Sequence, residues 1–395
     1  MSIIRANIRQ FGMIVALVLL AIGFQFATGG MMFRPLNIAN LITQNGYILI
    51  LAVGMMFVIL TGRIDLSVGT HLAFASALSG VFMVSWSIPV WIAVPAILLI
   101  GALFGAWHGF WIAYVRIPFF VVTLAGMLIF RGMTMFALRG GTITNFPDSF
   151  HTLAAGFIPD VLGGSGLNLT AIMICVLVSI LFVFLEFRRR AIASKYEGET
   201  IPMNLLIVKL VAIVGVINLF GFWFAQSRGI PNIMILLVAL IVVYNYIANN
   251  TVFGRHVYAT GGNDKAAVLN GLKTKRTVFW VYVNMGMLAA LAGMMFASRL
   301  NAASPRAEAG FELEAIAACF IGGASPSGGV GKVTGAIIGA LVMGVLRNGL
   351  GHMGLGADIQ LAATGLVVLI AVTFDVFTRT KISKSEKVKA PTSES

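Results

Sequence analysis

Apolar runs about as long as a membrane helix recur along nearly the whole chain. A helix needs about 20 apolar residues to cross the roughly 30 Å hydrocarbon core of a bilayer. Counted by that length, spans are predicted near residues 11–28, 39–60, 68–86, 90–115, 118–138, 167–187, 205–225, 231–249, 277–298, 311–323, 333–351 and 358–377. The run at 311–323 is too short to cross alone, which favours a half-helix or re-entrant element. The pattern predicts an all-α, polytopic bundle of 10–12 transmembrane helices.

The composition argues against a soluble protein and against an enzyme. Hydrophobic residues make up 59% of the chain and charged residues only 10%, whereas soluble domains carry about 25% charged residues. The five histidines show no ligand spacing, and both cysteines lie in apolar runs. We therefore expect no metal site, no cofactor and no catalytic residues.

The basic residues predict an orientation. When the predicted spans alternate from a cytoplasmic N-terminus, 20 of the 27 Lys and Arg residues fall on the inner side and 6 on the outer side. Cytoplasmic loops of membrane proteins carry such an excess. Both termini are predicted to be cytoplasmic, with a transmembrane domain over 1–378 and a basic tail over 379–395. The formal net charge of +13 then reflects topology and gives no reason to expect a nucleic-acid partner.

Two segments of the chain resemble each other. Residues 116–139 align without gaps on residues 276–299, and 10 of the 24 positions are identical. Transporters are often built from repeats of this kind. Apolar helices also share a small alphabet, which is the other explanation of the match. We interpret the pair as an internal repeat.

A polar turn interrupts the apolar run at 51–70, LAVGMMFVILTGRIDLSVGT. Gly62 permits a tight turn, and Arg63 and Asp65 are close enough in sequence to neutralise each other in part. The Ser67 hydroxyl is a candidate cap for the next helix, because serine often accepts a hydrogen bond from a free amide there. On these grounds alone, the segment is a helix–helix turn.

Four long strings, including that turn, resemble one family. They are the stretch at 51–70, IPFFVVTLAGMLIFRG at 117–132, GRHVYATGGNDKAAVLNG at 254–271, and ELEAIAACFIGGASPSGGVGKVTGAIIGALVMGVLRNGL at 312–350. Their order and content are similar to the ribose- and xylose-type permeases of ABC importers of monosaccharides. The polar insertion at 186–204 and the extra spans resemble the xylose and multiple-monosaccharide members.

The resemblance implies a subunit of a larger machine in the bacterial inner membrane. Two permease copies would form the pathway through the lipid, a separate ATP-binding cassette ATPase would supply the energy, and a periplasmic binding protein would deliver the sugar. The chain encodes no convincing nucleotide-binding loop of its own. PSGGVGKVT at 326–334 has Pro326 where a phosphate-binding loop needs Gly, and Val333 where it needs Ser or Thr.

The resemblance also implies that loop 250–276 couples the permease to the ATPase. Asn263 and Asp264 supply helix-start chemistry, and Gly271 can end a short helix. The small Ala266 and Ala267 would let that helix settle into a groove on a partner. An ordinary solvated loop is the other interpretation.

Polar side chains inside the predicted spans are candidates for the pathway, because such groups usually face a cavity or another helix. Aromatic side chains can stack on sugars, and amides can hydrogen-bond to hydroxyl groups. Interhelical packing is the other role for each of them. The chosen set is Asn45, Trp107, Thr123, Arg131 and Asn284, from a wider group that also holds Asn40, Gln44, His108, Asn218 and Asn348.

Other functions are weighed against a sugar permease. An ion-coupled secondary transporter would place acidic residues within its spans, whereas the acids here are predicted at span ends and in loops. A membrane enzyme would need clustered His, Asp or Glu. The related branched-chain type of ABC permease, for another small solute, remains the alternative within the same class.

Overall fold

Fourteen α-helices account for most of the chain that the computed structural model describes, which comprises residues 2–164, 166–195, 202–305, 310–356, 358–367, 369–370 and 373. In order they are α1 Ser2–Ala27, α2 Pro35–Leu60, α3 Val68–Gly80, α4 Val90–Phe110, α5 Phe119–Leu138, α6 Asp148–Ala155, α7 Leu169–Lys195, α8 Met203–Ala225, α9 Asn232–Asn250, α10 Val252–Gly262, α11 Asp264–Leu269, α12 Thr274–Leu300, α13 Phe311–Ile321 and α14 Val333–His352. Helices α3 and α4 each end in a π-helical turn, Val81–Ser85 and Trp111–Val115. The two short strands are β1 Ile143–Thr144 and β2 Ala302–Ala303.

Nine helices in the described part of the chain are long and apolar enough to cross a membrane. They are α2, α3 and α4 with their π turns, α5, α7, α8, α9, α12 and α14, and their bounds lie within a few residues of the predicted spans except where α7 runs on to Lys195. A shorter apolar helix at Gly12–Ala27 matches the first predicted span. Residues 358–367 are helical where the last span is predicted. The all-helical, polytopic fold is confirmed, and the predicted tail at 379–395 lies outside the described residues.

The transmembrane helices have two distinct ends. At one, called here the strand end, β1 pairs with β2 and the start of α2 meets the end of α14, where Asn37 donates a hydrogen bond to Asn348 over 2.9 Å. At the other, called here the motif end, the Gly329 amide donates to the Leu60 carbonyl over 2.9 Å. Among the described helices, α2 runs from the strand end to the motif end, and α14 runs from the motif end back to the strand end.

Helix α2 forms the centre of the bundle. In its apolar window 89% of the residues are buried, against 17% in those of α7 and α8, so α2 is surrounded by protein and the other two lie at the edge. Helix α12 packs against α2, α3 and α4, and α14 packs against α2 and α13. Small residues make this possible: an added Cβ on Gly286 of α12 would lie 2.3 Å from the carbonyl oxygen of Gly101 in α4. Close backbone approach of this kind is typical of membrane helices.

The short helix α13 belongs to a broken crossing. Helix α12 finishes at the strand end, and α14 begins at the motif end. The 11-residue helix α13 between them covers only about 16 Å, and the irregular backbone of residues 322–332 follows it to the motif end. Such backbone is tolerated at membrane depth where protein surrounds it, and α13 packs between α2, α3 and α14. The prediction that this segment does not form a full span is confirmed.

The two similar segments have matching surroundings. Arg139 follows the end of α5 and Asn301 follows the end of α12, both with left-handed backbone, and each is followed by a short strand and then by a helix. The strands pair antiparallel with Ile143 opposite Ala303. The shared glycine faces α4 in both copies, since Gly126 lies against His108 and Gly286 against Gly101. This arrangement agrees with an internal repeat.

Candidate coupling site and solute pathway

Three of the four family-like strings meet at the motif end. The Gly329 amide, from the loop between α13 and α14, donates to the carbonyl of Leu60 at the end of α2 over 2.9 Å. The Tyr258 hydroxyl of α10 donates to the Gly331 carbonyl over 2.8 Å. Burial raises the pKa of the Tyr258 phenol above its ordinary value of 10.0. The first, third and fourth strings are thus parts of one structural unit.

Glycines let the three segments touch. A Cβ on Gly261 would lie 1.7 Å from the Leu60 carbonyl oxygen and 2.7 Å from the Gly329 nitrogen. A Cβ on Gly328, whose φ is +84°, would lie 2.7 Å from the Gly62 nitrogen. Both distances are far below a normal contact, and backbone atoms cannot move aside cheaply. We call this contact of Gly62, Gly261, Gly328 and Gly329 the glycine junction.

The turn between α2 and α3 differs from its prediction in two details. Ser67 caps no amide; its hydroxyl donates to the Asp65 carboxylate over 2.6 Å, and its amide donates to the same oxygen over 2.9 Å. A carboxylate is a strong acceptor, so both of these hydrogen bonds are charge-assisted. Arg63 forms no ion pair with Asp65, since its guanidinium donates to the Thr61 carbonyl over 2.7 Å. Gly62 has the positive φ, +74°, that a tight turn requires.

The short helix predicted in loop 250–276 is present as α11. The Asn263 side chain accepts a hydrogen bond from the Ala266 amide over 3.0 Å and caps its start, with Asp264 in its first turn. Gly271, at φ +79°, follows its end, where its amide donates to the Val268 carbonyl over 2.9 Å. Both predicted helix boundaries are confirmed.

Helix α11 turns a different side outward from the one expected. Ala267 is buried against the chain itself, and Ala266 is half-buried. The side chains that face away are apolar: Val268 is 53% exposed and Leu269 is 88% exposed. These two adjacent apolar side chains form the exposed tip of α11.

The five predicted pathway residues do not share one site. Asn45 is buried and donates to the Leu41 carbonyl over 2.8 Å, and Thr123 is buried with its hydroxyl 3.4 Å from the Phe120 carbonyl. Asn284 accepts a hydrogen bond from the Tyr244 hydroxyl. These contacts support the packing interpretation for the three residues without testing a role in transport.

Trp107 and Arg131 lie on exposed surfaces of α4 and α5. The Trp107 ring contacts the neighbouring His108 ring at a centroid distance of 5.1 Å. Exposed positions on transmembrane helices face lipid or another subunit, so neither residue lines an internal passage of a single chain.

A polar cluster that sequence reasoning missed lies beside the broken crossing. Glu314 of α13 is only 4% exposed and forms an ion pair with Arg347 of α14. The Arg347 guanidinium also donates to the Tyr47 hydroxyl over 3.2 Å. The Tyr47 ring lies 4.9 Å from Phe296 and 4.8 Å from Phe311, between ring centroids. We call these five residues the α13 cluster.

Two acidic residues lie where the sequence predicts, Asp65 in the turn between α2 and α3 and Glu314 in the first turn of α13, and both are buried there. Each has partners, the Ser67 hydroxyl and amide for Asp65 and the Arg347 guanidinium for Glu314. The nearest clue in the sequence was Arg347, a cation close to the end of an apolar run.

Comparison with known proteins identifies the family. The family described as branched-chain amino acid transport system / permease component matches residues 37–373. The xylose transport system permease protein XylH of Escherichia coli K12 is 36% identical over 376 residues, which cover 94% of this chain and 93% of that protein. The ribose import permease protein RbsC of Bacillus subtilis is 35% identical over 342 residues, 87% of this chain and 85% of that protein. No solved structure matches the chain.

These matches cover nearly all of the chain and its relatives, and they agree with the apolar helices of the fold. The resemblance stated from the four strings is confirmed at the level of the family. The chain is therefore a multi-pass protein of the bacterial inner membrane that belongs to the permease family of ABC importers, the family of the xylose and ribose permeases.

Proposed function

We propose that this chain forms the translocation pathway of an ATP-driven importer for a neutral monosaccharide of the xylose, glucose, galactose or arabinose type. A periplasmic binding protein delivers the sugar, a separate ATPase subunit hydrolyses ATP, and a second permease copy completes the pathway. Relatives that span nearly the whole chain are named for xylose and ribose transport, which supports the sugar class.

The motif end is proposed to be the cytoplasmic end, with both termini on that side. The excess of Lys and Arg supports this orientation. Loop 250–276 then points toward the ATPase, and Leu269 is its most exposed apolar side chain. The predicted coupling residues Asn263, Asp264 and Gly271 act by shaping α11, whose tip makes the contact.

The glycine junction is the observation that carries the coupling proposal. It joins α10, the end of α2 and the loop that follows α13 through backbone contacts. A force on α11 would pass through α10 into the core helix α2 and the broken crossing, because close-packed backbones move together. A solvated loop with no function would not need such contact.

The α13 cluster is the proposed position of the sugar pathway. Discontinuous helices mark the solute sites of many transporters. Its three aromatic rings offer apolar faces, and its ion pair and phenol offer donors and acceptors for sugar hydroxyls. Asn45 is the predicted pathway residue that fits here, since it packs against Gly344, which lies one turn before Arg347 on α14.

Docking can be tested by charging the tip of α11. Leu269→Asp should abolish co-purification with the ATPase subunit, because the carboxylate would be buried without a partner in an apolar contact. Leu162→Asp is a matched control, since Leu162 is also an exposed leucine, at 52%, but lies at the strand end. Equal recovery of the ATPase with both variants would reject the docking assignment.

A further inference from the structure

A basic cavity lies directly behind α11. Its volume is about 660 Å³, and it is bordered by the turn after α4, the start of α5, helix α11 and the start of α12. Four cations line it, Arg63, Arg116, Lys273 and Lys275, with a single carboxylate, Asp264. The cavity therefore concentrates positive charge between transmembrane helices at the motif end.

The four cations are not neutralised by the part of the chain described here. Arg63 donates to the Thr61 carbonyl, and no ion pair to a carboxylate is found among the described residues for Arg63, Arg116, Lys273 or Lys275. The N-terminal ends of α5 and α12 also border the cavity. Neither helix has a side-chain cap, so the helix dipoles add partial positive charge.

The remaining wall of the cavity is apolar. It is formed by side chains of the terminal turns of α4, α5, α11 and α12, among them Ile112, Ile117, Phe119, Val268 and Val278. A free inorganic anion would gain nothing from such a wall. A phospholipid would, because its phosphate can contact the cations while its acyl chains follow the apolar helix surfaces.

We propose that this cavity binds the headgroup of an anionic phospholipid from the inner leaflet. Basic pockets between transmembrane helices on the cytoplasmic side are suited to such headgroups. The proposal relies on the orientation proposed above. Because Asp264 and Val268 line the same cavity, the bound lipid would also support the position of α11.

The test measures lipid retention by the purified full-length permease, using native mass spectrometry with equal amounts of phosphatidylglycerol and phosphatidylcholine. The wild type should retain phosphatidylglycerol preferentially. Arg116→Gln with Lys275→Gln should lower that preference about thirtyfold, the factor for two cations that each attract an anionic lipid. Both side chains are exposed, so the fold should be unaffected.

Arg255→Gln with Lys265→Gln is the matched control. Both residues are exposed and lie in loop 250–276, as Lys275 does, but neither lines the cavity. The two substitutions remove as many positive charges as those in the cavity variant. This variant should keep the preference, and excess inorganic phosphate should not displace the lipid.

Three results would overturn the proposal: no preference in the wild type, equal loss in both double variants, or displacement by phosphate alone. Weaker ATPase binding by the cavity variant with no lipid preference would instead assign the cations to an acidic surface of the partner protein. The lipid-retention measurement itself needs neither ATPase nor sugar. Its failure would therefore leave the transport function untouched, and a failure of transport would leave the lipid result untouched.

Discussion

We predict that alanine substitution of Gly261, which belongs to the glycine junction, destabilises the protein, whereas the same substitution of the adjacent Gly262 does not. In Gly261→Ala the new methyl would lie 1.7 Å from the Leu60 carbonyl oxygen and 2.7 Å from the Gly329 nitrogen, whereas ordinary contacts begin at 3.4 Å. The two backbones must separate by more than an ångström, which breaks the 2.9 Å hydrogen bond between Gly329 and Leu60.

The free-energy cost follows from these contacts. Overpacking costs about 1–3 kcal/mol, and a buried amide left without a partner costs about 1–3 kcal/mol more. Replacing a helical glycine by alanine returns about 1 kcal/mol of conformational free energy. The net destabilisation expected for Gly261→Ala is therefore about 1–5 kcal/mol.

Gly262→Ala is the control, because an added Cβ there meets nothing within 4 Å and the backbone φ is not positive. It should be neutral or stabilise by up to about 1 kcal/mol. Thermal unfolding in detergent can be followed with a thiol-reactive fluorophore, since Cys319 is fully buried until the bundle opens. Gly261→Ala should melt several degrees lower, at about 2–4 °C per kcal/mol. Equal melting of the two variants would refute the junction.

Further predictions concern the α13 cluster and the loop between α6 and α7, which contains Asp160. Glu314→Gln should destabilise the protein by about 1.5–3 kcal/mol because it removes the buried carboxylate that binds the half-buried Arg347 guanidinium, whereas Glu186→Gln, which breaks the more exposed pair with Lys209, should cost under about 1 kcal/mol. Thermal melts compare the two, and similar shifts would contradict the burial of the first pair. Backbone amides, with Gly164 first, lower the pKa of Asp160, so its stabilisation is present above the ordinary value of 3.8 and is lost as the pH falls from there toward the lower folded pKa. Amide hydrogen exchange in the loop around Asp160 should be faster in Asp160→Asn than in the wild type at neutral pH. The difference should vanish once acid protonates the Asp160 carboxylate of the wild type. A difference in exchange that persists in acid would contradict this role of the carboxylate.

The fold was largely predictable because hydrophobic length determines membrane helices. The bounds of α4 and its π turn, 90–115, coincide with the predicted span. Helix α12 is only a few residues longer than its own predicted span, 277–298. The short helix α13 was also recognisable, since an 11-residue helix is too short to cross a bilayer. The caps of α11 followed from local chemistry, because Asn263 and Gly271 act within a few residues of themselves.

Features that depend on contacts distant in sequence were not predictable. In the glycine junction, Gly261 and Gly329 contact the backbone of Leu60, and no local sequence pattern predicts that these backbones touch. The α13 cluster needs the broken crossing to carry Glu314 beside Arg347. The Ser67 cap failed for a local reason, because the Ser67 backbone is helical, at φ −90° and ψ −7°, whereas a capping serine has extended backbone.

Under the proposed function, this chain transports sugar only when ATP hydrolysis by a separate ATPase subunit supplies the energy. The direct measurement is uptake of radiolabelled xylose into proteoliposomes that contain the permease with or without its ATPase subunit, ATP and sugar-binding protein. We expect xylose uptake in the complete system and none when ATP or the ATPase is omitted. We also expect no uptake when the permease alone is given a proton or sodium gradient. Gradient-driven accumulation of sugar by the permease alone would contradict it.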